Sequence, residues 1–92
     1  MQAWVKKYQA RYGATPDAAA ALGYDAATML FTAIENAASA DPDKVKDALA
    51  ALVDFEGVTG KTSMDAHHDP LKSVVVSHVT NGKVEYLTSV AP

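Results

Sequence analysis

Along the first half of the chain the apolar positions recur every three or four residues, and along the last fifth they alternate or run together, so helices come first and strands last. Trp4, Val5, Tyr8 and Tyr12 form one stripe of a helix over residues 2–12, with Gly13 at the left-handed position where helices commonly end. Thr15-Pro16-Asp17 supplies an N-cap, a proline at the first helical position and an acid near the positive end of the dipole. A second helix is predicted from there to about Ser39, with Leu22, Ala26, Met29, Leu30, Ala33, Ile34 and Ala37 on one face. Gly23 is costly inside a helix, by about 1 kcal/mol against alanine, and predicts a close approach of backbone or ligand, or a break between two helical pieces. Asp41-Pro42-Asp43-Lys44 repeats the opening grammar, and Val45, Ala48, Leu49 and Leu52 predict a third helix of about three turns packed antiparallel on the second.

Helical periodicity stops after Leu52. Phe55-Glu56-Gly57-Val58-Thr59-Gly60 is turn-rich, Lys61-Thr62-Ser63-Met64-Asp65 reads as a short polar strand, and residues 65–70 read as a loop. The runs 74–79 and 84–90 flank Asn81-Gly82, the dipeptide of a type I′ turn, and predict a β-hairpin. That turn sets a register in which Val79 faces Val84, His78 faces Glu85, Ser77 faces Tyr86 and Val75 faces Thr88. Val74, Val76 and Leu87 then lie on one face and Val75, Val79, Val84 and Tyr86 on the other, the pattern of a hairpin covered on both sides. Three thin helices can cover one side at most.

Composition sharpens this. The 92 residues are 49% hydrophobic, but 18 of them are alanine, so the core is thin and stability is marginal unless another chain or the rest of a larger protein covers it. The net charge of −3 carries no basic stripe and argues against nucleic acid as a partner. The absence of cysteine removes disulfide scaffolds, thiol catalysis and cysteine-bound zinc. No apolar run is long enough to span a bilayer, and Met1-Gln2-Ala3-Trp4-Val5-Lys6-Lys7 has no signal-peptide character, so a targeting segment is expected to lie outside these residues.

Candidate chemistry is sparse. His67, His68, Asp69 and His78 are metal-ligand types, but adjacent histidines diverge in regular structure and no i, i+4 pair exists. Ser63, Asp65 and His67 nominally supply a nucleophilic triad without the glycine elbow that would expose the serine. Gly60-Lys61-Thr62 imitates a phosphate loop, yet its first glycine position is Phe55 and no helix follows. No catalytic residue, metal or cofactor is therefore predicted. The Trp4/Tyr8/Tyr12 stripe is expected to pack on the second helix, with a partner-binding face as the alternative. Tyr24 and Asp25, beside Gly23, are read either as ligand-facing or as a packed ring with a capping carboxylate.

The order of segments carries more than any single motif. Trp4-Val5-Lys6-Lys7-Tyr8 with Arg11-Tyr12-Gly13, then Ala20-Ala21-Leu22-Gly23-Tyr24-Asp25-Ala26, Asp41-Pro42-Asp43-Lys44-Val45, Phe55-Glu56-Gly57-Val58-Thr59-Gly60-Lys61, Asp69-Pro70 and Asn81-Gly82-Lys83 follow one another over nearly the whole chain. This succession resembles the C-terminal part of branched-chain amino-acid (Leu/Ile/Val) type substrate-binding proteins of ABC transporters, with the type I periplasmic-binding fold. The resemblance implies an α+β fragment of a two-lobed α/β protein: residues 1–69 from the first lobe, 70–73 a hinge crossover, and 74–92 a hairpin of the second lobe. It further implies capture of a small amino acid or related organic acid for an importer permease, in a periplasmic or extracellular lipid-anchored parent, with no chemistry on the ligand.

In the same resemblance Ala21 and Tyr24 line the ligand cleft, Ala21 leaving room for a bulky ligand. The fragment alone is not expected to bind, because half a cleft buries too little ligand. It is expected to associate as a homodimer through the 74–90 hairpin, or else to fold the hairpin back on the helices. Where the family has Asp-Glu-Asn-Gly-Asp, this chain has Asp65-Ala66-His67-His68-Asp69, which places a histidine where the turn asks for φ > 0. The alternative reading is a free-standing α+β interaction module that uses the Trp4/Tyr8/Tyr12 face.

Overall fold

The structure, a computed structural model, describes residues 2–92. Three helices lead into two small antiparallel sheets: α1 (Gln2–Tyr12), α2 (Ala18–Ala37), α3 (Pro42–Ala50), β1 (Phe55–Gly57), β2 (Gly60–Met64), β3 (Pro70–Leu71), β4 (Val74–Thr80) and β5 (Lys83–Val90). The caps explain most of the boundaries. Gly13 (φ 71°) ends α1, with its N–H donating to the Gln9 carbonyl at 2.8 Å. Asp17, not Thr15, caps α2, its carboxylate accepting from the Ala20 N–H at 2.8 Å. Thr15 instead accepts from the Gln9 side chain at 3.1 Å, so Pro16 stands before the cap and not inside the helix. Asp41 caps α3, accepting from the Asp43 and Lys44 amides with Pro42 in the first turn.

Gly23 corrects an expectation. The second helix runs through it unbroken, and a Cβ built there would meet nothing within 4 Å. It is an exposed glycine inside a helix, and neither a break nor an approach of this chain's own backbone accounts for it.

The core lies where α2 packs on α3 and touches β1. Its buried apolar members are Ala21, Ala33, Val45 and Leu52, and no large side chain is fully buried. Leu52 sits just past the end of α3, where its carbonyl accepts from the Met64 N–H at 3.1 Å and ties the helix exit to β2. The extended region is richer than one polar strand. Residues 55–64 form a hairpin turning at Val58-Thr59, and Pro70–Leu71 adds a third strand in the order β1-β2-β3. Strands of three and two residues are too short to show alternation, so main-chain pairing alone reveals them.

The C-terminal hairpin keeps the expected register near its turn: Val79 pairs with Val84, His78 with Glu85 and Ser77 with Tyr86. Asn81 (φ 52°) and Gly82 (φ 75°) carry the two positive φ angles of a type I′ turn. Beyond Ser77 a bulge intervenes. Val76, not Val75, faces Thr88, while Val75 faces Ser89 and Val74 faces Val90, which leaves Leu87 as the extra residue of β5. Neither face is covered. Every residue of both strands is exposed, and the hairpin does not fold back on the helices. The Cα radius of gyration of 15.7 Å exceeds the roughly 12 Å of a compact domain this long, and the extents are 51 × 33 × 16 Å.

The loop between β2 and β3 keeps a tight turn without its glycine. Asp65 accepts from the His67 and Asp69 amides at 2.8 and 2.9 Å, and His68 adopts φ 67°. A left-handed non-glycine residue is strained by about 1–2 kcal/mol, while glycine's freedom in the unfolded chain returns about 0.4–1 kcal/mol of that. His68→Gly is therefore expected to raise unfolding stability by roughly 0.5–1 kcal/mol, read as a higher urea midpoint at unchanged slope.

Candidate functional site

Two constellations stand out: an aromatic cleft between α1 and α2, and a buried carboxylate one residue further along α2. The cleft follows from helical spacing. Residues 4, 8 and 12 stack up one side of α1, with Trp4 and Tyr8 ring centroids 5.6 Å apart and Tyr8 and Tyr12 4.7 Å apart. Tyr24 extends the ladder from α2, 5.5 Å from Trp4. These rings, with Ala20, Lys7 and Arg11, line an open cleft of about 480 Å³. Arg11 lies over Tyr12 at 5.3 Å from the ring centre. The walls are largely apolar, with two cations and no acid among the lining residues.

The stripe on α1 is thus not a core contact in the expected sense. None of its described residues is buried, and Trp4 meets α2 through Tyr24. Tyr24, 47% exposed, stands in the cleft wall. Ala21 is buried within the fold at 6% exposure, while its neighbour Ala20 lines the cleft. The two predicted ligand-facing residues are therefore on one helix but in different surroundings.

Asp25 is neither a capping carboxylate nor a solvated one. It is 5% exposed in the middle of α2 and reaches across to the β1–β2 turn. Oδ1 accepts from the Val58 N–H at 2.8 Å, and Oδ2 accepts from the Thr59 N–H at 3.0 Å and the Thr59 hydroxyl at 2.5 Å. The Lys72 ammonium donates in turn to the Thr59 hydroxyl oxygen. Gly57 makes room for this, since a Cβ there would lie 2.5–2.8 Å from the Asp25 carboxylate. The phosphate-loop lookalike at 57–62 is thereby explained: its turn amides hold a carboxylate of the same chain. Burial alone would raise the Asp25 pKa, but the hydroxyl and two amides, helped by the charge of Lys72, outweigh it and hold the group below the usual 3.8. Sequence reasoning missed the partnership because its members lie 33 and 34 residues apart.

The histidines do not converge. His78 makes a cross-strand contact with Glu85 at 3.3 Å, while His67 and His68 occupy the β2–β3 loop. Among the described residues no three His, Asp or Glu side chains form a group able to hold a metal ion.

A family model described as periplasmic binding protein matches residues 1–83, and the chain belongs to that family. Among solved structures it is similar to the leucine-binding protein LivK from Thermotoga maritima, with 38% identity over 99% of this chain and a TM-score of 0.84. The branched-chain amino-acid transporter substrate-binding protein LivJ from Streptococcus pneumoniae, in complex with isoleucine, matches at 38% identity over 99% of the chain with a TM-score of 0.82. A solute-binding protein of an ABC transporter from R. palustris, in complex with benzoate, matches at 30% over 99% with a TM-score of 0.80. The chain spans about a quarter (26%) of the length of each. Its fold is accordingly an α+β portion of the type I periplasmic-binding architecture.

Two variants isolate the buried carboxylate. Asp25→Asn leaves at least one turn amide facing an NH₂ group and is expected to cost about 2–3 kcal/mol; Gly57→Ala, which drives a methyl into the carboxylate, is expected to cost at least about 2 kcal/mol. Because the folded pKa is lowered, the carboxylate's contribution is fully present above the unfolded value near 3.8 and is lost as pH falls through the folded pKa. Chemical unfolding followed from pH 7 to pH 2.5 is expected to show that loss in the parent and a flatter acid limb in Asp25→Asn.

Proposed function

We propose that the chain is the C-terminal portion of a solute-binding receptor that captures a small amino acid or related organic acid for an ABC importer. The observation that carries this reading is the continuous likeness, over 99% of the chain, to receptors solved with isoleucine and benzoate. In the whole receptor the role is binding and delivery to a permease outside the inner membrane, with no bond of the solute made or broken. Residues 1–69 contribute to the first lobe, 70–73 to the crossover and 74–92 to the second lobe. The uncovered apolar hairpin agrees with that division, since a second-lobe element is left without its cover. No described helix is long and apolar enough to cross a membrane.

Tyr24 and Ala21 are the ligand-facing candidates. Tyr24 offers an exposed ring in an open apolar wall; the small side chain of Ala21 would leave room for a bulky ligand, although the open cleft is lined by Ala20 and not by Ala21. An open half-cleft cannot enclose the 70–90% of a ligand's surface that small-molecule sites bury, so the isolated chain has no useful affinity. A second reading, a module that docks a protein partner on the α1 face, draws support from the absence of any buried side chain on α1.

A chimera tests the receptor reading. With this chain in place of the matching quarter of the Thermotoga leucine-binding protein, calorimetry is expected to show leucine, isoleucine or benzoate binding, with none by the isolated chain. Tyr24→Ala in the chimera is expected to weaken binding by about tenfold or more, a ring's worth of contact; unchanged affinity would remove Tyr24 from the cleft, and a folded chimera silent towards all three ligands would count against the receptor reading. For the isolated chain, light scattering over a concentration series is expected to show a homodimer that covers the hairpin. A monomer throughout would favour the docking-module reading.

A further inference from the structure

The β4–β5 hairpin leaves the body of the chain through Leu71, Lys72 and Ser73, and no sustained packing with another element steadies it. Its direction is therefore set where that crossing is held. Main-chain pairing holds it only as far as β3, where Pro70 faces Met64 and Leu71 faces Ser63. The next paired residue is Val74, whose partner Val90 lies inside the hairpin itself. Between the two ladders stands Lys72, half-buried, and it makes the one side-chain hydrogen bond of the crossing among the described residues, to the Thr59 hydroxyl oxygen.

That hydroxyl is shared. It has one proton and two lone pairs, so it can accept from the Lys72 ammonium while donating to Asp25 Oδ2 at 2.5 Å. Both ends of the relay are charged and of opposite sign, which shortens and strengthens such bonds and aligns the hydroxyl between them. The Asp25 end is rigid, because α2 holds the backbone and two turn amides hold the carboxylate. The Lys72 end is the exit to the hairpin.

We propose that Lys72 is a positioning residue and that the Lys72–Thr59–Asp25 relay is a latch fixing the angle at which the β4–β5 hairpin leaves the helical body. On the receptor reading given above, the same latch sets the resting angle between the two lobes and so the equilibrium between open and closed receptor. Breaking it frees a crossing of two residues, the small segment that absorbs the backbone rotation in a hinge motion. The angle within this chain does not depend on the receptor reading and can be measured without it.

The chain has no cysteine, so Asn36→Cys on α2 and Lys83→Cys at the hairpin tip place two unique spin labels at exposed positions. Pulsed electron paramagnetic resonance on labelled chain diluted into unlabelled chain reads the distance between body and hairpin within one molecule. A single narrow distribution is expected for the parent, and one roughly twofold broader for Lys72→Met, which keeps the apolar stem and leaves all three Asp25 hydrogen bonds to the turn in place. Thr59→Val is expected to broaden it similarly, and Thr59→Ser, which retains the hydroxyl, to keep it narrow. Circular dichroism checks that each variant keeps its helices. A Lys72→Met distribution as narrow as the parent's overturns the latch, as does a Thr59→Ser distribution as broad as that of Thr59→Val. A folded chimera that binds none of the three solutes counts against the receptor reading and leaves the measured angle of this chain untouched.

Discussion

One ionised carboxylate joins the helical and extended halves of this chain. Asp25 lies in the middle of an alanine-rich helix, and its three hydrogen bonds reach the turn between β1 and β2. Burying a charge is costly unless hydrogen bonds replace the lost water, and here the replacement is supplied by two turn amides and a hydroxyl that no strand uses. Glycine at 57 follows from the same contact, as any larger residue would occupy the carboxylate's place. Lys72 extends it towards the C-terminal hairpin. Apart from the carboxylate, the β1–β2–β3 sheet is tied to the helical part by the Leu52 carbonyl, which accepts from the Met64 N–H, by a limited contact of β1 with α2, and by Met64 and His68 beside Leu49 and Ala50 of α3.

A polar clasp carries this weight because the hydrophobic one is small. Two of the four buried apolar residues are alanines, and alanine gains little on burial. The larger apolar side chains lie elsewhere: Val74, Val75, Val79, Val84, Tyr86 and Leu87 stand exposed on the hairpin. Their presence on both faces is at odds with a strand pair made to face water, and it accords with a chain that matches only 26% of its receptor relatives' length. The open aromatic cleft and the bare hairpin both present apolar surface to solvent.

Local grammar was legible in the sequence, and distant pairing was not. The three helices follow from apolar spacing, helped by a proline before the cap of α2 and one in the first turn of α3, and Asn81-Gly82 announces the hairpin with its Val79–Val84 and His78–Glu85 pairs. The cap of α2 fell on Asp17 because its carboxylate reaches the Ala20 amide, a choice that Thr15, equally suited by type, leaves open. The bulge at Leu87, opposite the Val76–Ser77 step, was hidden for a different reason: with valine on both faces of β4, a slip of one residue moves no polar group inward, so the pattern carries no register information there. The succession of segments made the family legible; it could not show that Tyr24 stands in an open wall while Ala21 is buried.

Asp25 marks where such reading stops. An acid inside a helix of apolar character suggests that something pays for its burial, and a turn with two glycines in four residues suggests close approach of another group. Each signal stands alone in the sequence, separated by more than thirty residues, and nothing local to either names the other. Only the packing of α2 on β1 joins them. Once joined, the pair turns a lookalike phosphate loop into an internal anion site, and the charge that fills it is the protein's own. The position of Lys72 then acquires a meaning that its sequence context withholds: it is the cation facing that internal anion, at the point where the chain leaves one half of the fold for the other.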